Sequence, residues 1–135
     1  MQEHTISKEQ WINWEPAQPF EDKYFIDFVN VAPFQLTIQL RKKNKCVQLV
    51  FKSEVIHYKR NDEVFCVQLC IFLSNINLDF AQKTFFIINN SSYSAKLQTS
   101  RALPASTDLI HFCLLADDSV IDILVTNEPE IIITN

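Results

Sequence analysis

The chain has 135 residues, of which 47% are hydrophobic and 21% are charged, and its formal net charge is −4. This length and apolar content predict one folded domain with a core, and they exclude an intrinsically disordered chain. The acidic balance argues against general affinity for nucleic acid, and the longest apolar run, residues 64–73, is shorter than the roughly 20 residues of a membrane span.

The N-terminal segment, residues 1–21, places several aromatic residues and two prolines among polar neighbours. Without a periodic pattern, this composition predicts an extended arm rather than a regular element. Its aromatic residues, Trp11, Trp14 and Phe20, would anchor the arm by capping the core. We therefore divide the chain into an N-terminal aromatic arm, 1–21, and a single α+β domain, 22–135.

The next forty residues predict a β-meander. The predicted strands cover 23–31, which ends before Pro33, then 34–41, whose apolar and polar residues alternate, then 47–52 and 55–58. A turn at Lys43–Asn44 joins the second and third of these strands as a hairpin. The only basic cluster, residues 41–45, is therefore expected to be a solvated hairpin tip rather than a nucleic-acid contact.

The second half of the chain mixes helical and strand patterns. Residues 62–73 favour a helix capped by Asn61 or Asp62, although their Val, Phe, Cys and Ile content leaves a buried strand open. Predicted next are a strand at 84–88, a short helix capped by Asn90 or Ser91, a hairpin of 109–115 with 120–126, and an edge strand at 131–133. The expected fold is α+β: a largely antiparallel sheet of about five to seven strands built from hairpins, with one or two helices packed on one face.

The chain contains no glycine, although about nine are expected at the usual frequency of roughly 7%. Turns with a positive φ are therefore expected to use the next most tolerant residues, asparagine and aspartate. Such residues stand at Asn44, Asn61–Asp62, Asn89–Asn90, Asp117–Asp118 and Asn127. A P-loop, a dinucleotide fingerprint, a nucleophile elbow and a kinase-type loop all require glycine, so these classes of site are excluded.

Cysteine and histidine suggest two kinds of site, and neither is favoured. Cys66, Cys70, His111 and Cys113 could supply four zinc ligands, but their spacing is not a usual zinc pattern and their neighbours are apolar. We expect the four cysteines of the chain to be buried free thiols, with no metal and no cofactor. An enzyme using His57 or His111 lacks a recognisable catalytic pattern, so no catalytic residue is assigned. Free thiols and a polar N-terminus without an export signal predict a cytoplasmic protein.

Carboxylates are concentrated toward the C-terminus in a stretch without lysine or arginine. They are Asp117, Asp118, Asp122, Glu128 and Glu130. Asp122 would share a strand face with Val120 and Leu124, which places it either partly buried beside a donor or at an exposed edge. One interpretation is an ordinary set of solvated turns. The other is a partner-binding patch that steers a basic protein by complementary charge.

Three stretches, 57–63, 89–100 and 111–129, resemble as a set small uncharacterised bacterial proteins, some of which look like immunity proteins of contact-dependent or polymorphic toxin systems. The resemblance extends over about half of the chain. It implies a non-enzymatic inhibitor that neutralises a cognate toxin domain by direct binding and carries no catalytic residue. An acidic inhibitor fits a basic nuclease, because carboxylates can take the places of nucleic-acid phosphates.

The alternative is a homo-oligomeric housekeeping binding module of unknown ligand. In that case the aromatic arm would pack against a second copy and form a homodimer. A measured molecular mass distinguishes the two hypotheses. Neither requires nucleic acid or a membrane.

Overall fold

The computed structural model describes residues 9–61, 63–101, 103–104 and 107–134, with the backbone alone for 63–66. The strands are β1 Gln10–Asn13, β2 Phe25–Ala32, β3 Gln35–Lys42, β4 Lys45–Lys52, β5 Ile56–Asn61, β6 Phe85–Asn89, β7 Ile110–Leu115, β8 Val120–Val125 and β9 Glu130–Thr134. The helices are α1 Glu63–Ile76 and α2 Ser92–Ser100, and short 3₁₀ turns cover Glu15–Phe20 and Leu78–Gln82. The predicted α+β class is confirmed, and so is the helix predicted at 62–73.

The nine described strands form two antiparallel sheets rather than the single sheet of five to seven strands that was expected. The five-stranded sheet has the order β1-β6-β7-β8-β5, and the four-stranded sheet has the order β2-β3-β4-β9. The predicted meander breaks after β4, because β5 pairs with β8 in the other sheet. Ser53 secures this crossover, since its Oγ lies 2.7 Å from Oγ1 of Thr126 and accepts the Thr126 amide at 3.0 Å.

The main core fills the space between the two sheets. Alternate residues of β3, β4, β7 and β8 point into it, and Leu36, Ile38 and Leu40 of β3 are fully buried there. Phe85 packs edge-to-face against Phe20 and Tyr24 in the same core. Such inward alternation on both sheets is the usual way that two packed sheets share one core.

The N-terminal aromatic residues belong to the fold, which corrects the prediction of an irregular arm. Residues 10–13 pair with β6 as an edge strand. Trp14 lies in the main core at 3% exposure, and Trp11 packs on Phe86 on the other side of the sheet. The propensity argument failed because tertiary pairing and burial of large rings outweighed the local polar composition.

The helices cover the outer face of the five-stranded sheet, so the molecule has three layers. Leu69 and Leu73 of α1 pack there with Phe86 and Leu115, and α2 packs its Tyr93 and Leu97 on Leu124 of β8. Ser91 caps α2 as predicted, because its Oγ accepts the Ser94 amide at 3.0 Å. Within the described ranges, no helix is long and apolar enough to cross a membrane.

In the described part of the chain, left-handed backbone falls at one of the positions that the absence of glycine suggested and at two others. Among the described residues, positive φ occurs at Phe34 (59°), Lys43 (55°) and Asn90 (55°). Only Asn90 is one of the predicted asparagines, and at the β3–β4 turn the strained position is Lys43 rather than Asn44. In the β2–β3 and β3–β4 hairpins the two-residue turn requires a positive φ at Phe34 and Lys43. This conformation costs a residue other than glycine about 1–2 kcal/mol.

Candidate functional site

The five predicted partner-binding carboxylates do not form one patch. Asp117 and Asp118 lie in the β7–β8 turn, whereas Glu128 and Glu130 lie beyond the other end of β8. Since β8 has six residues, the two exposed pairs are separated by about 20 Å of strand. Asp122, in the middle of β8, has 0% exposure, so it has no surface to offer a partner and that assignment is corrected.

Three of the four exposed carboxylates have partners within the chain. Asp118 accepts the Ile26 amide at 3.2 Å and lies 3.7 Å from the Arg60 guanidinium. Glu128 accepts the indole N–H of Trp14 at 2.8 Å, and Glu130 lies 3.3 Å from the Lys52 ammonium. These contacts join the turns to neighbouring strands. They leave the carboxylates accessible, so a role in steering a partner stays a prediction.

Asp122 belongs instead to a buried polar cluster between the five-stranded sheet and α2. Nε2 of His111 lies 2.7 Å from Oδ1 of Asp122, and Nδ1 of the same ring lies 2.5 Å from Oγ of Ser91. His111 is 1% exposed and Ser91 is 8% exposed. One assignment of protons that fits these distances has the Ser91 hydroxyl donating to Nδ1 while Nε2–H donates to Oδ1 of Asp122.

A second histidine extends this cluster to the sheet edge. Nδ1 of His57 on β5 is hydrogen-bonded to the Tyr93 hydroxyl. The Tyr93 ring stands edge-on to both histidine rings, and the Lys59 ammonium lies 4.9 Å above its centre. The cluster therefore ties α2 to three strands, β5, β7 and β8.

The order Ser91–His111–Asp122 has the connectivity of an acyl-transfer triad, so we tested whether the surroundings fit that chemistry. Serine hydrolases need amide donors beside the nucleophile, typically at a helix N-terminus, to bind the developing oxyanion. Here the carboxylate of Glu9 occupies that position, accepting the Ser92 amide at 3.1 Å and its hydroxyl at 3.2 Å. The Ser94 amide already binds the Ser91 oxygen. An oxyanion would meet a negative charge, so the geometry favours a structural clamp on α2.

The cysteines differ in burial from what was expected. Cys113 is fully buried, and burial raises the pKa of its thiol well above the ordinary value, with a further contribution from Asp122. Cys46 and Cys70 are free but only half-buried, and the Cys66 side chain lies outside the described residues. No cluster of three or more histidine, cysteine or acidic residues suited to a metal occurs in the described part of the chain.

The basic cluster is a hairpin tip, as predicted, and most of its charge is paired. Asp22 lies 2.5 Å from the Lys42 ammonium and 4.0 Å from that of Lys45. Arg41 binds Asp27 at 3.1 Å. These two carboxylates offset two of the four positive charges of the tip, which weakens its attraction for phosphate groups.

A cleft that was not predicted lies on the other side of Asp22. It has a volume of about 460 Å³ and is lined by Asn13, Gln18, Glu21, Asp22, Asp79, Gln82 and Lys83. The lining contains three carboxylates, of which Asp22 is paired with Lys42 and Lys45. Burial raises the pKa of Glu21, whose carboxylate accepts the amides of Thr84 at 2.9 Å and Phe85 at 3.3 Å. No local sequence pattern could indicate this cleft, because its lining comes from segments about sixty residues apart.

Comparison with known proteins adds no relative: no family model matches the chain, and neither the curated proteins nor the solved structures contain a significant match.

Proposed function

We propose that this protein is a non-enzymatic domain that binds another protein, and specifically an immunity protein that neutralises a cognate bacterial toxin by direct contact. The observation that carries the proposal is an apolar anchor beside an acidic cleft. Leu78 is 81% exposed and immediately precedes Asp79, which lines the cleft. An exposed large apolar residue next to charged groups is typical of a binding surface.

The exposed side of α1 extends this anchor. Val67, Ile71 and Ile76 are 54%, 62% and 56% exposed, and the helix has no charged residue after Glu63. A solvated helix normally carries polar and charged residues on its outer face. A helix that is apolar on both sides favours a role in binding, because a partner would remove its outer side from water.

The cleft supplies the charge that a basic partner requires. Glu21 and Asp79 line its walls beside Lys83, and Asp22, which also lines it, is paired with Lys42 and Lys45. Asn13 also lines the cleft, and its side-chain amide nitrogen is buried without a hydrogen bond to any described group. Carboxylates in such a recess could receive lysine or arginine side chains of a basic nuclease, where phosphates would otherwise bind.

The free thiols of Cys46, Cys70 and Cys113 fit an inhibitor that acts in a reducing compartment. On this proposal the protein acts in the cytoplasm and meets its toxin there. Labelling the half-buried Cys46 and Cys70 in intact cells with a membrane-permeant maleimide tests the compartment. A labelled protein is expected in the cytoplasmic fraction, and a disulfide-bonded protein outside it would contradict the assignment.

Co-expression with the toxin domain encoded beside this gene tests the function. The two proteins should purify as a complex in which the toxin is inactive. If they elute separately and the toxin remains active, the proposal is wrong.

Two charge reversals locate the surface within that experiment. Asp79→Lys changes the cleft, and Glu130→Lys changes the C-terminal acidic pair, which does not line the cleft. Both carboxylates are exposed, so neither change should affect folding. If the cleft binds the toxin, Asp79→Lys should weaken the complex by about tenfold or more while Glu130→Lys leaves it intact. The reverse result would assign the toxin to the acidic residues predicted from sequence.

The N-terminal aromatic residues cannot form the dimer interface that the homo-oligomeric alternative predicts. Trp11, Trp14 and Phe20 are buried in their own chain at 8%, 3% and 7% exposure. They therefore cannot pack on a second copy without unfolding the N-terminal segment. A self-association would need another surface.

A further inference from the structure

Strand β2 forms an open edge of the four-stranded sheet. Among the described residues it pairs only with β3, and six of its eight residues are exposed. Phe28 and Val31 are 41% and 57% exposed, and Phe34 in the following turn is 70% exposed. This edge is longer and more apolar than natural proteins usually leave open to solvent.

The second half of β2 lacks the residues that protect such edges. From Phe28 to Gln35 the sequence has no charged residue, and its only proline, Pro33, lies in the turn. The single irregularity is a bulge between Ile26 and Phe28. Asp27 within the bulge is neutralised by Arg41, whose guanidinium lies 3.1 Å away. Residues 28–32 are therefore free of the lysines, prolines and bulges that prevent edge pairing.

The β2–β3 turn determines which backbone groups face outward. Pro33 and Phe34 form a two-residue connection that closes on the pair Ala32 and Gln35. In such a hairpin the closing pair exchanges hydrogen bonds, and the bonded pairs then alternate along the ladder. By this alternation the N–H and C=O groups of Val29 and Val31 point away from β3, toward the open edge.

We propose that β2 pairs antiparallel with β2 of a second copy of this chain, about a twofold axis through Asn30. In this register Val29 stands opposite Val31 of the second copy, and the outward N–H and C=O groups form four intermolecular hydrogen bonds. Val29 and Val31 oppose Ile38 and Leu36 of β3, which are buried, so both valines share the inner face of the sheet. The two four-stranded sheets become one continuous sheet of eight strands.

The side chains fit the same register. Phe28 opposes Gln39 of β3, so it lies on the outer face together with Ala32, and in this register the Phe28 ring of the second copy stands opposite the small Ala32 side chain. Symmetry repeats this contact, so each copy offers one large and one small side chain. Each chain has a formal net charge of −4, but the paired segment, residues 28–32, has no charged residue. No like charges therefore oppose each other across this contact. This self-complementarity favours a second copy over a strand from an unrelated protein.

Sedimentation of the purified chain over a range of concentrations tests the pairing. The native chain should reach a dimer, and Val31→Lys should weaken association by about tenfold or more, because each lysine would oppose the apolar strand of the other copy. The matched control is Thr99→Lys on α2, where the native residue is also β-branched and exposed. The control should dimerise like the native chain.

A cysteine at the twofold axis tests the register. Asn30 of each copy would face the other at a Cα separation of about 4.5–5.5 Å, within the range of a disulfide. Asn30→Cys should therefore form a covalent dimer on mild oxidation, visible on a non-reducing gel. Asn44→Cys, at the exposed β3–β4 tip, should not.

A native chain that remains monomeric at about 100 µM would overturn the proposal, as would a dimer that Val31→Lys leaves unchanged. If the chain is monomeric and Val31→Lys abolishes toxin binding, the edge belongs to the toxin instead. Both experiments use this chain alone, so they fail or succeed independently of the proposed immunity function.

Discussion

The two sheets differ in how many of their faces are covered. This difference separates the residues that stabilise the fold from those that are available to bind a partner. The five-stranded sheet lies between the other sheet and the helices, so every residue of β8 and all but the first of β7 are buried. The four-stranded sheet has one covered face, and most of β2 is exposed. Buried polar groups that demand exact partners, such as Asp122, lie in the first sheet. Apolar groups without partners, such as Phe28, lie on the second.

Cysteine labelling should show the largest contrast between the sheets. Cys113 is buried in the five-stranded sheet and its thiol pKa is raised, so it should react only when the chain unfolds. Cys46 lies half-buried on the four-stranded sheet. With an unfolding free energy of about 5 kcal/mol or more, Cys46 should be alkylated at least about a thousandfold faster. Peptide mass spectrometry after a timed iodoacetamide pulse measures both rates. Equal rates would show that the five-stranded sheet opens locally.

Removing the buried carboxylate should be strongly destabilising. Asp122→Ala leaves the buried Nε2–H of His111 without its acceptor, which should cost about 1–3 kcal/mol of unfolding free energy. Asp117→Ala, at the exposed turn of the same hairpin, should cost less than about 0.5 kcal/mol. Urea denaturation measures both changes. Similar costs for the two variants would contradict the assignment of the cluster as a clamp.

A double substitution measures the net contribution of the His111–Asp122 pair to the free energy of unfolding, as distinct from the loss caused by removing one partner. Replacing both members, His111→Leu with Asp122→Leu, removes the buried polar groups together. Such replacements are often neutral or stabilising, so the double variant should recover most of the stability that Asp122→Ala loses. A double variant as unstable as the single one would indicate that shape, rather than charge, governs this position.

Local patterns were enough to predict the fold class and most elements. Alternation predicted β3 and β4, and helical spacing with a cap predicted α1. The division into two sheets was not predictable, because it depends on where β5 pairs. Ile56–Asn61 would suit either sheet locally, and the contact of Ser53 with Thr126, seventy-three residues away, accompanies the crossover to β8.

The buried cluster and the open edge were only partly predictable, for two physical reasons. Burial of Asp122 beside a donor was one of two alternatives, but its partner His111, which also binds Ser91, lies on another strand, and a charged side chain is rarely buried alone. The aromatic and β-branched residues of β2 indicate a strand whether it is central or at an edge, since propensity does not report neighbours. Exposure of Phe28 and Val31 is set by sheet order, which depends on long-range pairing.

Relief of backbone strain at the exposed edge should have a smaller, stabilising effect. Phe34 has a φ of 59°, and an aromatic residue in this region costs about 1–2 kcal/mol. Phe34→Gly should raise the unfolding free energy by about 1 kcal/mol, less the entropy of the unfolded glycine. Asn90→Gly is the control at a similar φ of 55° and should change stability by only a few tenths, because asparagine tolerates this conformation. If thermal denaturation shows Phe34→Gly to be destabilising, the ring makes contacts that outweigh the strain.

The smallest effect should come from an exposed ion pair at the end of the four-stranded sheet, and its pH dependence identifies it. The Lys42 ammonium, hydrogen-bonded at 2.5 Å, lowers the pKa of Asp22 below its ordinary value of 3.8. A lowered folded-state pKa contributes stability that is present above pH 3.8 and is lost as the pH falls through the lower folded value. Asp22→Asn should therefore cost a few tenths of a kcal/mol at about pH 6 and less at about pH 2.5, because this partly exposed pair is screened by solvent. Lys42→Gln removes the same partner and should flatten the same part of the pH profile. Asp22 also accepts a hydrogen bond from the Lys23 amide at 2.8 Å. If the two variants change the pH dependence of stability unequally, this backbone contact, rather than the ion pair with Lys42, accounts for the contribution of Asp22 to stability.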